Sequence, residues 1–454
     1  MACRALLRYS GMNNLLTAAI ARQADGDRNR NTRIFRKTCP MIHMMVFLFP
    51  VLSLWSALHS PNDPARGGQE YFQVKKVPAV HGSYSVTPEI PADGKVPAGT
   101  VLTIKASPAA GYRLDAVFYT YKGGMWGTLS EERFVPEITV KVDKDMSVGA
   151  TFVEASRVDN LQVTQDIVYA KPGVKTLKYD VFAPKGARNL PCIVIIHGGG
   201  WSSNNEDIMR GLARELARGN KYVVVSIDYR WVNKLDGDEQ PTYMHQLIED
   251  VFGAIAHIRE HAAEYGIDPN RLAVTGDSAG GHLSECAALF GPYIGEGGFG
   301  KQSGVYQFLP TYMPKGKTTA QVRNEITASI KAAAPSYGPS DAASFKQFIA
   351  QTDQAYWDAV SPIKHIPNVK ERAVPHFIVR GTQDPIIPLI AVTSYTDKLK
   401  AAGQRVEHLE VEGAGHAFFD WKPDATTIGT FEKIGVPYAA KMKVFFNSVF
   451  YPAK

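Results

Sequence analysis

Four short stretches of the 454-residue sequence combine residue types suited to nucleophilic chemistry. The first is Gly276-Asp277-Ser278-Ala279-Gly280-Gly281, which follows the apolar run Leu272–Thr275 and precedes a helix-like segment. A strand-to-helix turn of this kind leaves no room for side chains beside the serine, and glycines at 276 and 280 relieve those contacts. Ser278 then projects from the turn, at a helix N-terminus that favours developing negative charge. The second stretch is His197-Gly198-Gly199-Gly200-Trp201, at the end of the apolar run Pro191–His197. A glycine run there is either a flexible loop or a means of offering backbone N–H groups to an oxyanion without obstruction. His197 precedes the serine and belongs to the glycine motif, so it reads as a brace for the loop rather than as a base.

The third stretch is Gly381-Thr382-Gln383-Asp384-Pro385, just after the strand-like run His376–Arg380. The fourth is Gly413-Ala414-Gly415-His416-Ala417-Phe418, after Val406–Val411. Taken singly, Asp384 could be a turn or helix-capping aspartate, and His416 an ordinary loop histidine. Taken with the serine, they give the order Ser278, Asp384, His416, each at the end of its own strand. That is the order of a nucleophile, an acid that orients the base, and the base in one α/β architecture. Asp420 and Glu412 are reserve acids; both lie close in sequence to His416, whereas the orienting acid should approach the ring from another loop. Gly295-Glu296-Gly297-Gly298-Phe299-Gly300 matches a dinucleotide-binding pattern. It lacks the preceding buried strand and following helix that such a site needs, and so reads as a loop.

The elements that must position these residues follow from periodicity. From about 160 to the end, the apolar runs Pro191–His197, Tyr222–Asp228, Leu272–Thr275, Ile330–Ala334, His376–Arg380 and Val406–Val411 read as buried strands. Helix-like segments Ile208–Arg218, Tyr243–Ala263, Ala279–Phe290, Leu389–Ala402 and Tyr438–Phe450 separate several of them. Strands alternating with helices predict an α/β fold, a mostly parallel sheet with helices on both faces. Gln162–Tyr169 and Thr176–Phe182 are expected to form an antiparallel start. The Gly-rich, polar stretch 291–326 breaks the rhythm and reads as an insertion that overhangs the site and, with Trp201, shapes its pocket. Residues 71–154 have an all-β pattern instead, with Thr100–Ala106, Tyr112–Tyr121 and Glu137–Val142 as strands. The expected organisation is an N-terminal extension over 1–60, a small β domain over 71–154 and an α/β domain over 160–454.

Charge argues against nucleic acid. Of 50 Lys and Arg, eight lie in residues 1–43; of 44 Asp and Glu, only two do, and the remaining 42 of each sign balance. The formal +6 therefore belongs to the tail, and no basic face is implied. Cys3 and Cys39 lie in that tail, while Cys192 and Cys286 sit in apolar runs as small hydrophobes. No paired Cys/His spacing suggests a disulfide framework or a metal site. Residues 33–43 are basic and lead into an apolar run from Met44 to Leu58, which resembles a secretory signal peptide; the alternative is a disordered tail with an interfacial patch. The run is too short for a comfortable membrane span.

The four motifs together resemble the hormone-sensitive-lipase-like carboxylesterases of the α/β-hydrolase fold, and more narrowly the bacterial acetyl and feruloyl esterases acting on plant polysaccharide. Asp228-Tyr229-Arg230, Asp268-Pro269-Asn270-Arg271 and Tyr337-Gly338-Pro339-Ser340-Asp341 extend the resemblance over about 160–450. It implies Ser278 as nucleophile, His416 as base, Asp384 as orienting acid, and Gly199, Gly200 and Ala279 as oxyanion donors. It further implies an acyl-enzyme, Trp201 at the acyl pocket, and neither metal nor organic cofactor. Arg380-Gly381 departs from the His-Gly of such relatives, at a position expected to touch the pocket rim and not the triad. The segment from Gly82-Ser83-Tyr84 through Pro97-Ala98-Gly99-Thr100 to Val148-Gly149-Ala150-Thr151-Phe152 resembles a divergent B-type repeat of bacterial surface proteins. This implies a β-grasp-like accessory module in a secreted, periplasmic or cell-surface bacterial protein, its aromatic residues read as core rather than as a glycan platform. The expected substrate is a small ester or an esterified polysaccharide. An amidase or peptidase with the same triad is the alternative, as is a surface binding protein with a decayed hydrolase domain.

Overall fold

The structure is a computed structural model that describes residues 69–123, 128–295, 307–348 and 353–452. The signal-like run, the tail cysteines and residues 296–300 of the dinucleotide-like pattern lie outside the described residues. Residues Gly68–Lys454 form one compact unit. Among the described residues no helix is long and apolar enough to cross a membrane.

The larger sheet consists of β9 (Leu161–Ala170), β10 (Leu177–Pro184), β11 (Leu190–Ile196), β12 (Val223–Ile227), β13 (Ile267–Asp277), β14 (Ile330–Ser336), β15 (His376–Gly381) and β16 (Val406–Val411). Their spatial order is β16-β15-β14-β13-β11-β12-β10-β9. Only β10 runs against its neighbours; every other pair from β12 to β16 is parallel. The exchange of β11 and β12 and the antiparallel second strand give the α/β-hydrolase topology. β12 and the run Pro191–Ile196 of β11 are buried along their whole length, as strands covered on both faces must be. The covers are α1 (Arg210–Ala217), α2 (Met244–Glu260), α3 (Ala279–Phe290), α4 (Thr319–Ser329), α5 (Leu389–Ala401) and α6 (Val436–Phe450). α1 packs on α6, whereas α2 packs on α3 and α4. Cys192 and Cys286 are buried and unbridged in this core.

Two boundaries differ from the sequence pattern. The strand marked by Leu272–Thr275 begins five residues earlier, because the polar Asp268-Pro269-Asn270-Arg271 continues the extended chain beyond the apolar core. The stretch 291–326 contains α4, whose N-cap Thr318 and Gln321 form a reciprocal capping box. Its hydrophobic content is low, since only Val322 and Ile326 are buried apolar residues, and that explains its weak signal.

Among the described residues, the 71–154 segment folds into eight strands and carries no helix. β1 (Tyr71–Lys76), β3 (Lys95–Pro97), β5 (Tyr112–Lys122), β6 (Thr128–Arg133) and β8 (Met146–Glu154) make one sheet, in the order β3-β1-β8-β5-β6. β2 (Gly82–Thr87), β4 (Val101–Pro108) and β7 (Glu137–Lys141) make the other. Residues of both sheets, Val86, Ile104 and Val140 with Val117, Val148 and Phe152, share one small core. The observed packing is of two sheets face to face, without the helix that a β-grasp arrangement would place across them.

This β module is fastened to the α/β sheet by a buried carboxylate. Asp115 of β5 accepts hydrogen bonds from Arg210 Nε and Nη2 at 3.0 Å each, from Trp421 Nε1 at 2.9 Å and from Thr151 Oγ1 at 2.8 Å. Arg214 Nη1 donates to it as well, and Glu132 of β6 pairs with Arg210. Burial alone would raise the Asp115 carboxyl, but the charges of Arg210 and Arg214 and their hydrogen bonds hold it far below its ordinary value. Removing one member of such a cluster leaves an uncompensated buried charge, at a cost of about 3–5 kcal/mol. Asp115→Ala is therefore expected to lower unfolding stability in urea by about that amount, while Glu131→Ala on the rim changes it by less than ~1 kcal/mol. Equal stabilities would show that the cluster does not fasten the module. Because the folded-state value is depressed, this stabilisation is present above the ordinary carboxylate range and fades as pH falls below it.

Candidate active site

The site is assembled at the carboxyl edge of the parallel strands, where β11, β13, β15 and β16 end. Ser278 follows β13 immediately and stands at φ 52° and ψ −118°, a left-handed backbone setting that costs a non-glycine residue on the order of 1–3 kcal/mol. The surroundings hold it there. Ser278 N–H donates to Ser336 O at 3.0 Å, and His282 N–H donates to Ser278 O at 3.1 Å. A Cβ at Gly280 would collide with the carbonyl oxygens of Ile196 and His197, so the first turn of α3 can lie against the end of β11 only with glycine there.

The three sequence-predicted residues meet. His416 Nε2 lies 2.8 Å from Ser278 Oγ, and His416 Nδ1 lies 2.8 Å from Asp384 Oδ2. The other oxygen of Asp384 accepts N–H bonds from Ile386 at 2.8 Å and Ile387 at 3.0 Å. The turn role and the orienting role of Asp384 thus coexist, one on each carboxylate oxygen. Burial acts to raise this carboxyl, but the hydrogen bond and charge of His416 and the two N–H groups outweigh it and hold the group below its ordinary value. An ionised Asp384 fixes the tautomer with hydrogen on Nδ1, which leaves Nε2 free to accept the serine proton. Tyr337 packs edge-on against the His416 ring at 4.8 Å.

Neither reserve acid reaches His416 in this way. Glu412 is exposed. Asp420 is buried and shares a hydrogen bond with Asp277, the second residue of the serine motif. Burial raises Asp277, and the neighbouring Asp420 adds to that; burial raises Asp420 too. Two adjacent buried carboxyls of this kind retain a proton between them. Asp277 Oδ1 also accepts the Gly198 N–H at 2.6 Å, so the pair underpins the glycine loop. The motif named both Asp277 and the His416 loop, but only the close approach of the two loops reveals the pair.

The glycine loop is braced from several sides. Gly199 sits at φ 124° and Gly200 at φ 61°. Ser203 Oγ donates to Gly199 O at 2.8 Å, and Asn204 Nδ2 donates to Gly198 O at 3.2 Å. His197 is fully buried, stacked on Tyr229 at 4.1 Å and bonded to Gly198 O and Asp228, which fits a bracing role. Gly199, Gly200 and Ala279 line the same cavity of about 300 Å³ as Ser278 and His416. Trp201, Pro339, Phe345, Ile386 and Ile387 form its apolar wall, and Asn204, Asp420 and Lys422 its polar end.

Residues 296–306 of the expected overhang lie outside the described residues. The described parts, 291–295 and 307–326, do not line this cavity; Phe345 and the Ile386-Ile387 pair do. The reason is that α4 is the connection that feeds β14, and it packs against α2 and β13 away from the serine. Arg380 is not a pocket-rim residue. Its buried guanidinium donates to Ile387 O at 2.6 Å and Asp384 O at 3.4 Å, and pairs with Glu410 at 2.9 Å. It clamps the backbone of the acid loop from behind, and so does touch a triad residue.

The chain is similar to several known proteins. The family model described as BD-FAE matches residues 179–399. The chain is similar to the carboxylesterase NlhH of Mycobacterium tuberculosis, 38% identical over 125 residues that make up 27% of this chain and 37% of that protein. It is similar to the esterase LipQ of the same organism, 28% identical over 269 residues, 56% of this chain and 57% of that one. The chain thus spans between about a third and three-fifths of the length of these curated relatives. Among solved structures it resembles Thermogutta terrifontis esterase 2 phosphorylated by paraoxon, with 24% identity, a TM-score of 0.47, and coverage of 64% of this chain and 96% of that one.

The acid assignment can be tested without a substrate. A fluorophosphonate is expected to label Ser278, and Asp384→Asn to slow labelling by roughly 10³–10⁴-fold through the wrong histidine tautomer. Asp420→Asn, which leaves the His416–Asp384 bond intact, is expected to slow it by far less. The reverse ranking would make Asp420 the orienting acid.

Proposed function

We propose that this protein is a carboxylic-ester hydrolase working through an acyl-enzyme on Ser278. The observation that carries the reading is the unbroken chain from Ser278 Oγ through His416 to Asp384, at 2.8 Å per link, within the cavity that the glycine loop lines. His416 Nε2 takes the serine proton as Oγ attacks the ester carbonyl. The N–H groups of Gly199, Gly200 and Ala279 hold the oxyanion, each contributing about 3 kcal/mol to its stabilisation. Collapse of the tetrahedral intermediate breaks the ester C–O bond, and the alcohol leaves with the proton from His416. Water, deprotonated by His416, then attacks the acyl-enzyme and frees the acid and Ser278.

The finer reading is an exported bacterial enzyme that removes acetyl or feruloyl groups from plant polysaccharide. Its support is the similarity to the BD-FAE family and to carboxylesterases, the signal-like apolar run and the accessory β module. Trp201, only 2% exposed and flanked by Phe345, closes the apolar end of the cavity and favours a short acyl group.

A panel of p-nitrophenyl acyl esters, methyl ferulate and acetylated xylan tests this. Hydrolysis of the acetyl esters, abolished in Ser278→Ala, is the expected result. No turnover of any of them, or undiminished turnover by Ser278→Ala, would overturn the esterase reading. Trp201→Ala is expected to shift kcat/KM toward p-nitrophenyl hexanoate over acetate by about tenfold, since pocket space discriminates acyl methylenes on that scale. An unchanged ratio would remove Trp201 from the acyl pocket.

A further inference from the structure

A second cavity of about 590 Å³ lies between the β module and the α/β sheet. One wall belongs to the β module and includes Tyr121 of β5 with Thr128, Leu129 and Ser130 of β6. The other belongs to the α/β domain and includes Asn204, Asn205 and Trp231. Asn204 and Lys422 line both this cleft and the Ser278 cavity, so the two spaces adjoin at the polar end of the latter. The size is in the range of about 300–1,000 Å³ typical of ligand sites. The walls are held in register by the buried Asp115–Arg210–Arg214 cluster, because Asp115 is on β5 and Glu132, its partner in that cluster, is on β6.

The chemistry of the lining narrows the ligand. Its charges are already spoken for within the protein. Glu132 pairs with Arg210, Lys422 lies 3.8 Å from Asp420, and Asp424 caps the following helix through Thr427 N–H and Oγ1 at 2.8 Å each. Glu131 lies 3.4 Å from Arg133. Phe118 and Ile208 are themselves buried at 1% and 5% exposure, so the open apolar lining comes from half-buried Val77 and Leu129 and from the rings of Tyr121 and Trp231. Beside these rings the uncharged polar lining is hydroxyl and amide groups, those of Thr120, Thr128, Ser130, Asn204 and Asn205. That combination suits an uncharged polyhydroxylated ligand, whose C–H faces lie on rings and whose hydroxyls exchange hydrogen bonds with short polar side chains.

We infer that this inter-module cleft is the binding site for the carbohydrate chain that forms the alcohol half of the ester, and that the β module thereby contributes directly to substrate recognition. The inference rests on the esterase reading and adds to it the place where the leaving-group side is held. The acyl group enters the apolar end of the Ser278 cavity beneath Trp201. The sugar ring that bears it sits at Asn204 and Lys422, and the neighbouring sugars continue into the cleft. Of the β-module aromatics that line the cleft, Phe118 is core and Tyr121 is the one to which this inference gives a surface role.

Steady-state kinetics on the full-length chain tests the inference, with acetylated xylo-oligosaccharide and p-nitrophenyl acetate as paired substrates and two variants of the β-module wall. Tyr121→Ala removes a ring and Thr128→Trp fills the cleft from an exposed position. Both are expected to lower kcat/KM on the oligosaccharide 5- to 20-fold, mainly through KM, and to leave p-nitrophenyl acetate within twofold. Equal losses on both substrates, or no loss on either, would overturn the cleft site. Turnover of p-nitrophenyl acetate without turnover of the oligosaccharide would overturn it too, and would leave the esterase reading standing. Calorimetry of Ser278→Ala with deacetylated xylo-oligosaccharide judges the cleft independently of catalysis. Binding that Tyr121→Ala weakens supports the site, and no binding by either protein overturns it.

Discussion

The first turn of α3 lies so close to the end of β11 that a single methyl group at Gly280 would strike the carbonyls of Ile196 and His197. This close approach is the constraint on which the site depends. It forces the chain leaving β13 into a sharp reversal and places Ser278 in a left-handed setting at its tip. It also brings Asp277 against the glycine loop, where its carboxylate takes the Gly198 N–H. Ser278 and the glycine loop are therefore positioned by one packing contact between adjacent parallel strands.

The histidine and its acid are held by separate means that converge on the same place. Asp384 divides its carboxylate between the turn that carries it and the ring it orients, so one side chain both shapes the loop and sets the tautomer. Arg380 holds that loop from behind through the carbonyls of Asp384 and Ile387. Buried charge recurs as a fastening device elsewhere in the molecule. The Asp115 cluster joins the β module to α1 and to Trp421, in the loop that follows His416, and so ties the wall of the inter-module cleft to the α/β half. Such clusters add little net stability compared with apolar packing, but they tolerate only one relative placement of the groups involved.

The parts of this arrangement differed in how readily the sequence disclosed them. The catalytic strands announced themselves because strands buried on both faces are written as unbroken apolar runs, as in Pro191–Ile196 and Tyr222–Ile227. The helix α4 did not, since its buried face is narrow and its neighbours are polar and glycine-rich. The described residues around it take no part in the pocket that Phe345, Ile386 and Ile387 line. Arg380 was legible only as a departure from a pattern, because its partners are backbone carbonyls, which no side-chain motif records.

By itself, the sequence determined the local chemistry: a serine in a glycine turn, a glycine loop, an aspartate and a histidine, each following a strand and in a set order. Those features are encoded within a few residues, by glycine's conformational freedom and by hydrophobic periodicity, so they can be read without knowing the fold. Tertiary structure alone decided that Asp277 and Asp420 pair, and that the β module shares a cleft with Asn204 and Lys422 of the Ser278 cavity. Each of these joins groups far apart in the chain, such as Asp115 with Trp421. Their energies arise from desolvation and close approach, which exist only once the sheet has brought the loops together.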